Sequence, residues 1–237
     1  MIAPVETKTY TAEEYLELEI NSQDRHEFLN GEIVLRAGAA PNHNEITSIL
    51  NAILRGSLKG KPYSIFASDQ RLWVPQLNNY TYPDVMVVAR PIELQSGRTD
   101  TITNPLLIAE VLSKGTKAYD RDEKFAADRS IPSFQEYLLI DQYWLQVEQY
   151  SKTEANKWIF SEYSCMRDRL TLRSVTVEIS LADLYQNIEF SEELPMPGLF
   201  EVNRPVNLGL ASEEILLLDE CSVEGEWEGQ VRFLPLR

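Results

Sequence analysis

Leu106-Leu-Ile-Ala-Glu-Val-Leu112 is apolar at every position except Glu110, and Tyr82-Pro-Asp-Val-Met-Val-Val-Ala89 carries Asp84 at the head of a second apolar run. Short uninterrupted apolar runs of this kind mark strands covered on both faces, so the two segments predict the interior of a sheet flanked by helices. The flanking sequence supplies those helices. Thr11 followed by Glu14 is a capping-box pattern that opens a short first helix. Ile46, Ile49, Leu50, Ile53 and Leu54 recur at helical spacing over Asn42 to Leu58, with Asn42 or Asn44 as the candidate cap. Between them, His26-Glu-Phe-Leu and Glu32-Ile-Val-Leu-Arg embrace Asn30-Gly31, a strong local hairpin signal.

Further along, Tyr63 to Ala67, Arg71 to Pro75 and Tyr80 to Ala89 read as strands. Thr116 to Arg129 reads as a helix with Ala118, Tyr119, Phe125 and Ala126 on one face. Strands follow at Glu136 to Asp141, Trp144 to Ser151, Trp158 to Tyr163 and Leu170 to Glu178, and a last helix at Ser180 to Tyr185. The order predicts an α/β fold with a mixed sheet. Pro195, Pro197, Gly198 and Pro205 then cluster, and the pattern weakens, with Ile215 to Leu218 and Val231 to Leu234 as two candidate short strands. The expected division is one domain over residues 1–190 and an acidic extension over 191–237.

With 237 residues, 43% hydrophobic and 25% charged, the chain has the composition of a globular protein. No apolar run approaches the ~20 residues that cross a bilayer, and the N-terminus lacks a basic, then apolar, leader, so the expected compartment is the cytoplasm. Cys165 and Cys221 stand far apart in no CxxC pattern, which predicts no disulfide framework and no thiolate zinc site. The net charge of −15 opposes polyanions at long range, although Ser191 to Arg237 alone holds ten acidic residues against three basic ones. Local basic patches remain open to the rest of the chain.

An ionised Glu110 inside an apolar strand costs several kcal/mol unless a cation or hydrogen-bond donor meets it. An ion pair or a strand end reaching water would serve. So would a second carboxylate sharing a hard cation: Asp84, ahead of its own apolar strand, is the candidate, since Mg²⁺ is commonly held by one or two carboxylates plus water. That arrangement requires both side chains on one face of the sheet. A nearby lysine would then orient the attacking water and offset phosphate charge.

Pro83-Asp84, Glu110-Val-Leu-Ser113, Thr116, Tyr119-Asp120-Arg121, Lys124 and Ile131-Pro-Ser-Phe-Gln-Glu-Tyr137 resemble the Uma-two family of predicted endonucleases. That family is a branch of the restriction-endonuclease-like PD-(D/E)XK superfamily. The resemblance spans roughly residues 10 to 186 and includes Glu27 through Gly31 to Val34, and His43 before the second helix. It implies a restriction-endonuclease-like mixed β-sheet flanked by helices, and a Mg²⁺-dependent (or Mn²⁺-dependent) endonuclease acting on nucleic acid, with DNA as the expected substrate. Asp84 and Glu110 would be the metal ligands. The superfamily lysine lies two residues after the Glu, where this chain has Leu112, so the resemblance transfers that role to Lys124 on the following helix.

Asp120, Lys124 and Asp128, four apart, would share one side of that helix, as they also would on a plain solvated face. Glu27 matches the acidic residue near the superfamily's first helix and would assist the water, or else pair with Arg25. Lys114, Lys117 and Arg121 extend a positive strip that could meet phosphates, or be balanced by Asp120, Asp122 and Glu123. Two departures stand out: Asp128 where the family has Tyr, and Lys114-Gly115 where it has Pro-Ser. The acidity, the missing strand lysine and Asp128 support the alternative of a catalytically silent binding or assembly module. A homodimer is left open.

Overall fold

The computed structural model describes residues 8–155, 157–190 and 230–231. Helix α1 (Ala12–Asn21) starts with the expected reciprocal cap, Thr11 accepting from the Glu14 amide while the Glu14 carboxylate accepts from that of Thr11. Strands β1 (His26–Leu29) and β2 (Glu32–Leu35) pair antiparallel with Leu29 opposite Glu32. The two-residue turn between them needs positive φ at both positions, and Asn30 (53°) and Gly31 (94°) supply it. Helix α2 (Pro41–Ser57) has Ala40 at its N-cap and Pro41 in its first turn with no side-chain cap, which corrects the expectation of capping by Asn42 or Asn44.

Strands β3 (Tyr63–Ala67), β4 (Arg71–Val74), β5 (Asn79–Thr81) and β6 (Val85–Ala89) follow. The run read as one strand from Tyr80 to Ala89 is two strands in two different sheets, because the Tyr82-Pro83 step interrupts the ladder. After β7 (Thr101–Ile102) and β8 (Pro105–Leu112), the predicted helix 116–129 is three pieces: α3 (Lys117–Tyr119), a π-helical turn (Asp120–Lys124) and α4 (Phe125–Asp128). The chain continues through β9 (Glu136–Asp141), β10 (Val147–Glu154) and β11 (Lys157–Tyr163). The expected strand 170–178 is the hairpin β12 (Arg169–Leu172) and β13 (Val177–Ser180), turned at Thr176 with φ 53°, before α5 (Leu181–Leu184). Gln230–Val231 forms β14 on the edge of β11, and the rest of the 191–237 extension, with the candidate strand at 215–218, lies outside the described residues.

The main sheet runs β14-β11-β10-β9-β8-β6-β3, with β8 and β9 parallel and the other pairs antiparallel. A second sheet, β2-β1-β5-β4-β7, carries the first hairpin. On one face of the main sheet Val85, Val87, Leu107, Ala109 and Val111 pack with α2 through Ile46, Leu50 and Leu54. On the other, Met86, Val88, Ile108 and Leu112 pack with Phe125, Phe134, Tyr137 and Trp158. This is the predicted mixed sheet covered by helices, and it explains why both central strands read as unbroken apolar runs.

The Tyr185 hydroxyl ties α5 to the turn between β9 and β10, lying 3.0 Å from the Asp141 carbonyl and 2.7 Å from that of Gln146. Tyr185→Phe keeps the ring and leaves these acceptors short, so we expect a loss of about 1–2 kcal/mol, read as a lower urea midpoint at unchanged m-value. Cys165 is disulfide-bonded, which corrects the expectation that the cysteines form no bridge. No helix among the described residues is long and apolar enough to cross a membrane.

Candidate active site

The pairing of β6 with β8 sets Val85 opposite Ala109, so the next step along the antiparallel ladder sets Asp84 opposite Glu110. Side chains alternate along a strand, and Asp84 shares its parity with Met86 and Val88 as Glu110 does with Ile108 and Leu112. Those four residues belong to one cluster, and Asp84, just ahead of β6, and Glu110, in β8, both line one cleft at the strand ends. The two are also tied through the backbone. The Val111 amide donates to Asp84 Oδ2 at 2.9 Å, and the Asp84 amide lies 3.4 Å from Glu110 Oε2.

Leu112 is 1% exposed within that same apolar cluster and supplies no charge. The cation comes instead from the π turn. Its wider winding sets Lys124 Nζ 2.9 Å from Glu110 Oε1, 3.6 Å from Glu27 Oε1 and 3.9 Å from Asp120 Oδ1. Single π turns recur at functional positions because they re-aim one side chain without ending the helix. Lys124, Asp120 and Asp128 are all buried, so the solvated-face reading of this helix does not hold.

Glu27, on β1, accepts from the Tyr82 amide at 3.0 Å, which fixes its carboxylate beneath Lys124; Arg25 instead approaches Asp69. His43, near the start of α2, brings Nε2 within 3.1 Å of Asp84 Oδ2. Arg36, just past β2, reaches Asp84 Oδ1 at 3.1 Å with one nitrogen and donates to the Ser68 carbonyl at 2.6 Å with another. Arg36 escaped the sequence reading because its partner lies 48 residues away and no local pattern announces it.

Burial opposes ionisation of Asp84, but His43, the Val111 amide and Lys124 together hold its carboxyl below the usual range. Burial drives Glu110 well above that range; the Lys124 ammonium opposes the shift, and Asp84 and Asp120 add to it. Lys124 is held firmly protonated: desolvation works against its charge, but Glu110, Glu27 and Asp120 outweigh it. Asp128 is 0% exposed with neither carboxyl oxygen hydrogen-bonded, so it does not pair with Lys124, and burial pushes it up to about 7.

Glu27, Arg36, His43, Asp84, Glu110, Asp120 and Lys124 line a cleft of about 680 Å³ with Lys114, Thr116, Tyr119 and Tyr143 at its walls and Ala37 to Ala40 along one side, while Asp128 lies beneath it in the protein. Of the predicted positive strip, Lys117 is bound to Asp141 at 3.0 Å and Arg121 to Glu148 at 2.6 Å, so neither offers a free charge, while Lys114 is exposed on the cleft wall. Among the described residues, no three His, Cys, Asp or Glu side chains are grouped to hold a metal unaided. Mg²⁺ needs fewer protein ligands, and two features suit a cation here. Acidic groups outnumber the basic ones around Lys124, and Glu110 Oε1 is a buried oxygen whose one close partner among the described residues is the Lys124 ammonium, which leaves it a lone pair for a cation.

A family model described as "Uma2: Putative restriction endonuclease" matches residues 12–183, which takes in every strand and helix of the site. The chain belongs to the Uma2 family. Two curated Synechocystis proteins are similar to this Uma2 protein. "Uncharacterized protein sll1609" is 43% identical over 162 residues, 68% of this chain and 92% of its own, and "Uncharacterized protein slr1290" is 34% identical over 178 residues, 75% and 92%. A crystal structure titled as a putative nuclease belonging to DUF820 from Anabaena variabilis superposes with a TM-score of 0.61 at 18% identity, covering 77% of this chain and 98% of that one. At that identity the likeness concerns the fold, and the Uma2 chain has the restriction-endonuclease-like architecture expected of it.

Proposed function

We propose that this Uma2 protein is a divalent-metal-dependent endonuclease that hydrolyses phosphodiester bonds of nucleic acid, with DNA as its substrate and Mg²⁺, replaceable by Mn²⁺, as its ion. The observation that carries the reading is that Asp84 and Glu110 line one open cleft, with Lys124 2.9 Å from Glu110. Asp84 and Glu110 would hold the ion, which when bound would acidify a water and offset charge building on the phosphate. Lys124 Nζ donates a hydrogen bond to the attacking water and holds it in line with the phosphorus. Glu27 keeps Lys124 aimed, because its own carboxylate is fixed by the Tyr82 amide. His43 and Arg36 grip the two Asp84 oxygens and set their orientation.

The reading is tested by nicking of supercoiled plasmid by purified protein with Mg²⁺ or Mn²⁺, beside Glu110→Ala. We expect metal-dependent nicking by the parent and none by the variant. Equal nicking by both would assign the activity to a contaminant, and no nicking in either metal would favour a silent binding module. Outer residues that orient a metal ligand are worth about 10- to 100-fold in metal affinity or activity. His43→Ala is therefore expected to lower the nicking rate by about that factor while the fold is retained, checked by initial rates beside circular dichroism.

A further inference from the structure

A duplex-binding protein that makes about 6–10 phosphate contacts needs a comparable set of available cations. The chain as a whole carries a net charge of −15. Around the cleft, Lys124 is buried under carboxylates, Arg36 is committed to Asp84, and Lys117 and Arg121 are bound to Asp141 and Glu148. Among the described residues lining the cleft, the exposed cation is Lys114. Its ammonium stands 5.5 Å from the ring centroid of Tyr143, a half-buried aromatic on the same wall. The Tyr143 amide donates to Asp141 Oδ1 at 2.8 Å, which anchors the backbone that carries the ring, and the exposed Lys114 is a long, flexible side chain beside it. One ring beside one flexible cation is poor equipment for following a double helix. It suits a single nucleotide, because stacking on an aromatic face is available to every base once unpaired and a single lysine can meet the adjoining phosphate.

Resting on the phosphodiesterase reading above, we propose that the cleft takes an unpaired nucleic-acid strand, one base stacking on Tyr143 and Lys114 moving from the ring to that nucleotide's phosphate. Paired duplex is then a substrate only where it is frayed, gapped or looped. The site selects by strandedness, and base identity matters little to the stacking contact.

Binding is measured by fluorescence anisotropy of labelled oligonucleotides in Ca²⁺, using a single strand, the matching blunt duplex and the single-stranded RNA of the same sequence. The single strand is expected to bind at least about tenfold tighter than the duplex. Tyr143→Ala should lose about tenfold for the single strand, Tyr143→Phe should keep it, and Lys114→Ala should lessen the slope of log affinity against log salt by about one. The RNA arm fixes which sugar is preferred without bearing on strandedness. Duplex binding as tight as single strand, or a Tyr143→Ala variant indistinguishable from the parent, overturns the proposal. Cleavage of the same oligonucleotides in Mg²⁺ separates the two readings. Duplex cut as fast as single strand by both the parent and Tyr143→Ala sinks the strandedness proposal and leaves the nuclease standing. Selective binding with no cleavage in Mg²⁺ or Mn²⁺ sinks the nuclease and leaves strand selection standing.

Discussion

Lys124→Met is expected to reduce nicking by about 10²- to 10³-fold, the usual worth of one preorganised hydrogen-bond donor at the reacting centre. It should also cost about 3–5 kcal/mol of stability, because removing one partner of a buried ion pair leaves the others uncompensated. The magnitude follows from crowding: Glu110, Glu27 and Asp120 all lie within 4.0 Å of that one ammonium. Removing it turns the site into a more strongly negative cavity. A divalent cation should therefore stabilise Lys124→Met more than it stabilises the parent, seen as a larger rise in Tm on adding Mg²⁺. Lys124→Arg keeps the charge but not the compact ammonium, and is expected to lose most cleavage while still binding metal. If Lys124→Arg nicks plasmid as fast as the parent, the lysine's role in the reaction is wrong and Lys114 is the next residue to replace.

The second large effect concerns Asp128, whose carboxyl is pushed from 3.8 up to about 7 by burial, with Lys124 opposing and Glu27 and Asp120 adding to the shift. The folded chain thus holds this proton more tightly than the unfolded chain does. Below about pH 4 both states are protonated and Asp128 costs nothing by this route. As pH rises from about 4 to about 7 the unfolded state sheds the proton first, and stability falls by up to ~4 kcal/mol, the loss persisting above. Asp128→Asn cannot titrate and lacks that slope. Between pH 4.5 and pH 8 the stability of Asp128→Asn relative to the parent should therefore rise by about 3 kcal/mol, measured by urea unfolding at each pH. A difference that does not change with pH would mean Asp128 is ionised, or equally protonated, in both states.

The sequence spoke most clearly where the cause is local. The Asn30-Gly31 hairpin and the Thr11 capping box each need only a few neighbouring residues, and both formed as read. The strands carrying Asp84 and Glu110 were legible because a sheet covered on both faces leaves an unbroken apolar signature interrupted only by the acids. Periodicity failed where one apolar run serves two structures. Residues 80–89 look extended across the step where β5 leaves one sheet and β6 enters another, and residues 170–178 look extended although Thr176 turns them back. The π turn was invisible because residues four apart fit an ordinary helix equally well, and the partners that Lys124 meets, Glu27 and Glu110, lie far away in sequence. Arg36 and Tyr143 come to the cleft by tertiary packing alone.

As proposed above, Asp84 and Glu110 together hold a divalent cation. Calorimetric titration of Mn²⁺ into the parent, Asp84→Asn and Glu110→Gln tests it most directly. We expect a saturable site in the parent that is lost, or weakened at least about tenfold, in each variant while both remain folded. Parent protein that takes up no Mn²⁺, or a Glu110→Gln variant that binds it as tightly as the parent, would contradict the claim.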